Sequence, residues 1–316
     1  MTAAWVAGST RARALAHRRA GLAAAGRIAA CDSLEQAVTL LAGTPYGHDV
    51  RRGQSLPEAQ WAILATLLWH LRVLAGWLPR EGGQMVRVLA RWFELANVDE
   101  LMHRLSGRQD EPEFALGSMG TVWPRLRRCV SLAEIRATLT TSPWGDPGGD
   151  SRREIQLGMR LAWAARVADA VPPARSWVLG AAALLVARAR YAEGHALSAG
   201  ARDRCRILLG AGTLDASSVT EMAQRLPSAA RWALRGVEGP RELWAGEERW
   251  WRRVEGEGHG LLTGAGFSMG PVVGAVAVLA ADARRVRAAL EPAARGSGDD
   301  GAHLSESIGE DGDDLA

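Results

Sequence analysis

The pentapeptide Gly266-Phe267-Ser268-Met269-Gly270 has the Gly-x-Ser-x-Gly spacing of a nucleophile elbow. In serine hydrolases this spacing lifts a Ser hydroxyl out of a tight strand-to-helix turn, where a His takes its proton. The chemistry needs a strand before the turn, then an Asp and a His after it. Gly258 to Thr263 make a poor strand, and His303 is the only His beyond Ser268. Catalysis at Ser268 is therefore not expected. The same glycines, Gly264-x-Gly266-x-x-x-Gly270, miss the dinucleotide fingerprint by one residue, and no βαβ pattern follows. A phosphate-binding loop of the G-x-x-x-x-G-K-[ST] type is absent, because the chain contains no lysine. The 7 His are scattered, with no i, i+4 pair enclosing a carboxylate. Cys31, Cys129 and Cys205 show no C-x-x-C spacing and are too few for a disulfide framework. Glu247-Glu248, beside Arg249, reads as one solvated helix face rather than an acid/base couple. No catalytic residue, cofactor or metal is expected.

Charge points instead to binding. All 38 basic residues are arginine. Seven of the 35 acids lie after Arg295, which leaves 28 against 38 arginines, a formal +10 for residues 1–295. A basic body suits nucleic acid, an acidic membrane surface or an acidic protein partner. Arg11, Arg13, Arg18 and Arg19 fall on one amphipathic segment, and Arg125, Arg127 and Arg128 on another. Arg11, Arg13, Arg125 and Arg127 are the candidate contacts for acidic partner loops. Nucleic-acid binding is the rival, but no helix-turn-helix, zinc-finger or RNA-binding fingerprint supports it.

The elements that position these residues read as helices. Gln60 to Trp77 puts Ile63, Leu64, Leu67, Leu68, Leu71 and Leu74 on one face. Ala12–Ala30, Met85–Leu105, Ile155–Ala170 and Ser176–Tyr191 follow the same period, and no series of alternating strands appears. Gly260 to Ala281 carries no charge and is long enough for a membrane span. Its first half is broken by Gly260, Gly264, Gly266, Gly270 and Pro271, so a buried helix over Val272–Ala281 is expected instead. Met1 to Arg13 shows no apolar core with a cleavage site, and no signal peptide is expected.

Residues 27–47 and 125–145 repeat each other at a shift of 98, with seven identities in 21 ungapped positions. The matches include Ser33/Ser131, Pro45/Pro143 and Gly47/Gly145, and Tyr46/Trp144 is conservative. Each copy starts with a capping-box pattern, Ser33-x-x-Gln36 and Ser131-x-x-Glu134. Ser218-x-x-Glu221 offers a third box without the Pro-aromatic-Gly turn.

These residues form an ordered series. An Arg-rich first helix, Thr10 to Leu15, leads to Ser33-Leu34 and to Leu40-Leu41-Ala42-Gly43-Thr44-Pro45-Tyr46-Gly47. Arg91-Trp92-Phe93-Glu94-Leu95-Ala96-Asn97-Val98-Asp99-Glu100-Leu101 follows, then Gly120-Thr121 and the second unit. Gly270-Pro271-Val272-Val273 finally leads into Ala280-Ala281-Asp282-Ala283-Arg284-Arg285-Val286-Arg287. Across residues 9–290 the chain resembles the C-subunit family of archaeal and bacterial V/A-type ATPases, which is similar to the d-subunit of the eukaryotic V-ATPase. The family's last helix usually carries Glu where Asp282 stands.

The resemblance implies an all-α fold of three related helical wedges arranged as a funnel. The funnel caps the cytoplasmic face of the membrane rotor ring, receives the foot of the rotor shaft and has no catalytic site. It implies one copy per complex, peripheral to the membrane, with the rotor shaft and the ring as partners and no nucleic acid. The expected organisation is helical unit 1 over 1–112, unit 2 over 113–200, unit 3 over 201–291 and a disordered acidic tail over 292–316. The alternative is a stand-alone Arg-rich helical adaptor that binds nucleic acid or protein.

Overall fold

The computed structural model describes the backbone over residues 3–107 and 112–306, and side chains over 5–107 and 112–296. Among the described residues there is no β-strand. The helices are α1 (Ala3–His17), α2 (Gly21–Ala29), α3 (Leu34–Ala42), α4 (Leu56–Gly76), α5 (Arg80–Ala90), α6 (Trp92–Leu105), α7 (Trp123–Leu126) and α8 (Leu132–Thr140). They continue as α9 (Arg152–Ala170), α10 (Arg175–Ala187), α11 (Ala199–Leu209), α12 (Val219–Arg225), α13 (Ser228–Arg231), α14 (Leu243–Thr263) and α15 (Met269–Glu306). A 3-10 turn spans Pro45–His48, and a π-helical turn, Arg188–Ala192, prolongs α10. The all-α expectation is met.

Packing divides the chain into two compact units. One joins residues 1–13 to 71–277. The other joins residues 14–70 to 278 onward. In the larger unit α10 packs against α9, α13 and α14, and α9 also packs against α5, α6 and α11. Its buried side chains include Phe93, Leu101, Ile155, Met159 and Leu161. Phe93 meets Phe114 edge-on, with ring centroids 5.2 Å apart. In the smaller unit Ile28, Val38, Leu41, Tyr46 and Ile63 are buried, as are Ala283, Val286 and Leu290 of α15.

Two helices expected as continuous are broken, and a third changes its helix type. The stretch 12–30 divides into α1 and α2, because the Ala20 and Gly21 N–H groups donate to Asp282 at 3.0 and 2.8 Å instead of continuing a ladder. Arg18 and Arg19 therefore leave the helix that carries Arg11 and Arg13. The stretch 85–105 divides at Arg91, and 176–191 turns π-helical after Ala187. No helix of the described residues is long and apolar enough to cross a membrane. Val272, Val273, Ala275, Val278 and Leu279 are buried, as expected for a core helix. Of the expected acidic tail, Ala293 is buried, α15 is traced to Glu306, and residues 307–316 lie outside the described residues.

Candidate partner-binding surfaces

The repeat is built on two buried carboxylates. Glu94 is fully buried in the first turn of α6. Its Oε1 accepts three consecutive backbone N–H groups, Thr121, Val122 and Trp123, at 2.8, 2.7 and 2.8 Å. Its Oε2 accepts the Trp144 indole N–H at 2.8 Å. A negative charge at the start of α7 answers the unpaired donors of a helix N-terminus. Asn97, one turn on, brackets the Phe114 backbone, donating from Nδ2 to its carbonyl at 2.9 Å and accepting its N–H at 2.8 Å. Asp282 does the same for the first copy. It is fully buried, accepts from Ala20 and Gly21 at the start of α2, and accepts the Tyr46 hydroxyl at 3.0 Å. Burial, followed by the Asp282 charge, pushes the Tyr46 phenol well above its ordinary range.

The turns match atom for atom. The Thr44 hydroxyl donates to the Leu41 carbonyl at 2.7 Å and accepts from the Tyr46 N–H at 3.2 Å. The Ser142 hydroxyl donates to Leu139 at 2.7 Å and accepts from Trp144 at 3.1 Å. Pro45 opens its 3-10 turn. The Pro143 carbonyl accepts from Arg166. Gly47 is required for space, since a Cβ there would lie 2.1 Å from the Ala42 carbonyl oxygen. Gly145 is required for its φ of +73°.

Ser33, Ser131 and Ser218 all cap their helices, accepting from Gln36, Glu134 and Glu221 N–H groups at 3.3, 3.2 and 3.1 Å. The reciprocal half of the expected box is displaced by one residue. Glu134 accepts from Val130 N–H at 3.0 Å, and Glu221 from Ser217 N–H at 2.7 Å. A full capping box stands instead at Ser151 and Glu154. The third module has no carboxylate clamp: the Trp232 indole donates to Ser176 Oγ at 3.1 Å and Ala229 O at 2.8 Å.

Glu94 and Asp282 are the structural residues that spacing alone did not assign. A lone acid on the apolar phase of a helix is their signal. Asp282 falls in step with buried Ala275, Val278, Leu279 and Val286.

The four candidate arginines part company. Arg13 is committed inside the chain. Its Nε donates to Leu262 O at 3.0 Å, and its Nη2 to Gly264 O and Gly266 O at 2.6 and 2.9 Å. These are carbonyls at the end of α14 and in the loop beyond it, and the guanidinium also sits 5.5 Å from the Phe267 ring. Arg11 lies 5.9 Å over the Trp77 ring, with its Nε buried and without a hydrogen-bond partner. Arg125 is exposed and donates to Thr141 Oγ1 at 3.0 Å. Arg127 is exposed and 3.8 Å from Glu113.

Ser268 follows a helix, α14, and its carbonyl accepts from Ser9 at 3.3 Å, so the strand of a nucleophile elbow is absent among the described residues. Burial pushes the Cys205 thiol up to about 12. No cluster of His, Cys, Asp and Glu among the described residues could hold a metal ion. A cleft of about 590 Å³ in the larger unit is lined by Arg153, Glu154, Arg160, Arg188, Glu193 and His195, among others. Its charges are largely spent. Arg160 pairs with Asp99 at 2.7 Å, Arg188 pairs with Glu247, and Glu154 holds the Ser151 cap.

Large apolar side chains reach the surface at a few places. Ile207 is 80% exposed, Leu22 74% and Val130 73%, and Trp244 and Trp77 follow. Arg18, Arg27, Arg127, Arg128, Arg202 and Arg206 are exposed in the segments around the three aliphatic residues. No model of a known protein family matches the chain, and no curated protein matches it in sequence.

Proposed function

We propose that this chain is a non-catalytic central-stalk subunit of a rotary V/A-type ATPase. In this role it is a socket that couples the rotor shaft to the membrane rotor ring at the cytoplasmic face. The observation that carries the reading is the repeated module: a Ser-capped helix followed by a turn, with the turn aromatic clamped by a side chain from a distant helix. Three modules carry the Ser cap, and two share the carboxylate–aromatic clamp. Glu94, from the segment before module 2, clamps that module. Asp282, from the last helix, clamps module 1. Tandem modules that borrow their clamps in this way suit a stiff, torque-bearing funnel of three wedges. Buried, hydrogen-bonded carboxylates favour stiffness, because each bond lost would leave an orphaned group in a low-dielectric interior.

The test is affinity purification of the tagged full-length chain from membranes of its own organism. The rotor shaft and the small ring protein should co-purify, one copy of this chain per complex. Failure to recover either, together with retention of nucleic acid by the purified chain, overturns the socket in favour of an Arg-rich adaptor.

A further inference from the structure

Two arginines of the larger unit stand close together with no acid free to answer them. Arg91 lies at the break between α5 and α6, and Arg166 lies on α9. Trp163, one turn before Arg166, sets their proximity. Its indole N–H donates to the Val88 carbonyl at 3.1 Å, and its ring meets that of Trp92 edge-on, with centroids 5.5 Å apart. Val88 and Trp92 flank Arg91 in the chain, so α9 lies alongside the break. Arg91 is half-buried, and its Nη1 is buried without a hydrogen-bond partner. Its Nε and Nη2, which form one edge of the planar fork, also bond to nothing among the described residues and are open to solvent. Arg166 gives Nη2 to the Pro143 carbonyl and keeps Nε and Nη1. Glu94 is near enough to act on Arg91, but its oxygens already take three backbone N–H groups and the Trp144 indole. Burial, then the Arg166 charge, lowers the Arg91 pKa below its ordinary value, against a smaller opposing effect of Glu94. Arg160, elsewhere on α9, shows the usual arrangement: it pairs with Asp99 at 2.7 Å.

We infer that the Arg91 and Arg166 guanidiniums together form a binding site for a tetrahedral oxyanion, either phosphate itself or the phosphate group of a larger molecule. A buried donor without an acceptor calls for a partner in the native state, and an ion is one of the few that suits a guanidinium. The open Nε–Nη2 edge of Arg91 matches two oxygens of such an anion, and Arg166 adds a further N–H and a second positive charge. A phosphate dianion answers both charges at once. Chloride offers neither the charge nor the two-point geometry. The bound anion would tie the α5–α6 break to α9 and, through the bond from Arg166 to Pro143, to the turn that carries Trp144. The site goes beyond the socket reading and neither needs it nor tests it.

Inorganic phosphate is titrated calorimetrically into the full-length chain at constant ionic strength, with chloride as the anion it replaces. The wild-type chain should bind it saturably. Arg91→Met and Arg166→Met keep most of each aliphatic stem and remove the donors, and each should weaken binding about tenfold or more. Arg153→Met is the control and should bind as wild type does. Arg153 is exposed, has no partner among the described residues and lies about 20 Å from Arg166 along the axis of α9. Hydrogen exchange of the wild-type chain locates the site even if a variant folds poorly: phosphate should slow exchange over 88–92 and 163–167. Glycerol 3-phosphate separates the two sources. Binding of comparable strength assigns the site to a phosphate group carried on a larger molecule, and exclusion assigns it to the free ion. The site is overturned if the wild-type chain binds neither anion saturably, if the slowing falls elsewhere, or if Arg153→Met loses as much binding as the other two variants.

Discussion

The Trp144 indole N–H donates to Glu94 Oε2 at 2.8 Å across fifty residues of chain, and Glu94's other oxygen gathers three backbone donors. Tyr46 makes the corresponding bond to Asp282 at 3.0 Å. The two bonds use different donors and different acids, yet they solve one problem. A short helix must start at a wholly or partly buried point, where its free N–H groups need an acceptor from the protein. A buried carboxylate serves those groups, and the aromatic of the following turn takes a remaining lone pair. The turn and the helix start are thereby tied to one point.

Removing that point should be expensive. Glu94→Ala leaves three backbone N–H groups and an indole N–H without an acceptor, and should cost about 3–5 kcal/mol in urea unfolding. Trp144→Phe removes one bond and should cost about 1–2 kcal/mol. A loss for Glu94→Ala no larger than that for Trp144→Phe would mean the backbone donors find other partners.

The fold class and the repeat were legible in the sequence because helix period, Ser caps and the Pro-aromatic-Gly turn are local signals. The breaks at 18–20 and at Arg91 were not. The first depends on Asp282, which lies more than 250 residues away in the chain. The fate of Arg13 was hidden for the same reason. Its face of α1 looks solvated until the end of α14 brings three carbonyls to it. The displaced half of the capping boxes reflects side-chain reach, which spacing does not specify.

Alkaline stability should report on Tyr46. An unfolded Tyr ionises near 10, while the buried Tyr46 phenol holds its proton well above that value. Above pH 10 the unfolded chain therefore binds fewer protons than the folded one, and stability falls as pH rises. Its contribution is present in full below pH 10. The chain has two Tyr, and burial also raises Tyr191. The Tyr46 phenolate should thus show no step at pH 10 in the native protein and should appear together with unfolding. Tyr46→Phe should make the alkaline loss of stability shallower. A native phenolate step near 10 that Tyr46→Phe removes would contradict a buried Tyr46.

Two glycines should respond in opposite directions. Gly47→Ala forces a methyl to within 2.1 Å of the Ala42 carbonyl oxygen and should destabilise by about 1–3 kcal/mol. Gly26 sits in α2 with nothing within 4 Å of the added Cβ, so Gly26→Ala should stabilise by about 0.5–1 kcal/mol through helix propensity. Thermal melts of the two variants decide both.

Ser268→Ala should leave stability within about 0.5 kcal/mol of wild type, because no side-chain bond of Ser268 holds the loop and the position is exposed. A fluorophosphonate probe should not label it. Stoichiometric labelling lost in Ser268→Ala would revive the nucleophile.

The candidate arginines should separate by what already holds them. Arg13 gives three bonds to carbonyls at and beyond the end of α14, so Arg13→Ala should lose about 1–3 kcal/mol and speed hydrogen exchange over 262–267. Lysine is a poor substitute, since one ammonium does not reproduce a planar fork aimed at Leu262, Gly264 and Gly266. Arg125 and Arg127 are exposed, with only Thr141 and a 3.8 Å approach to Glu113 nearby. Arg125→Glu and Arg127→Glu should change stability by less than about 0.5 kcal/mol. On the proposed socket reading, any loss of ring or shaft binding in those two variants would then be a loss of contact, and it should shrink as salt rises and screens the attraction. Arg13→Glu cannot be read that way, because it would weaken the fold before it weakened an interface. Equal stability losses at positions 13, 125 and 127 would show that Arg13's carbonyl bonds contribute nothing.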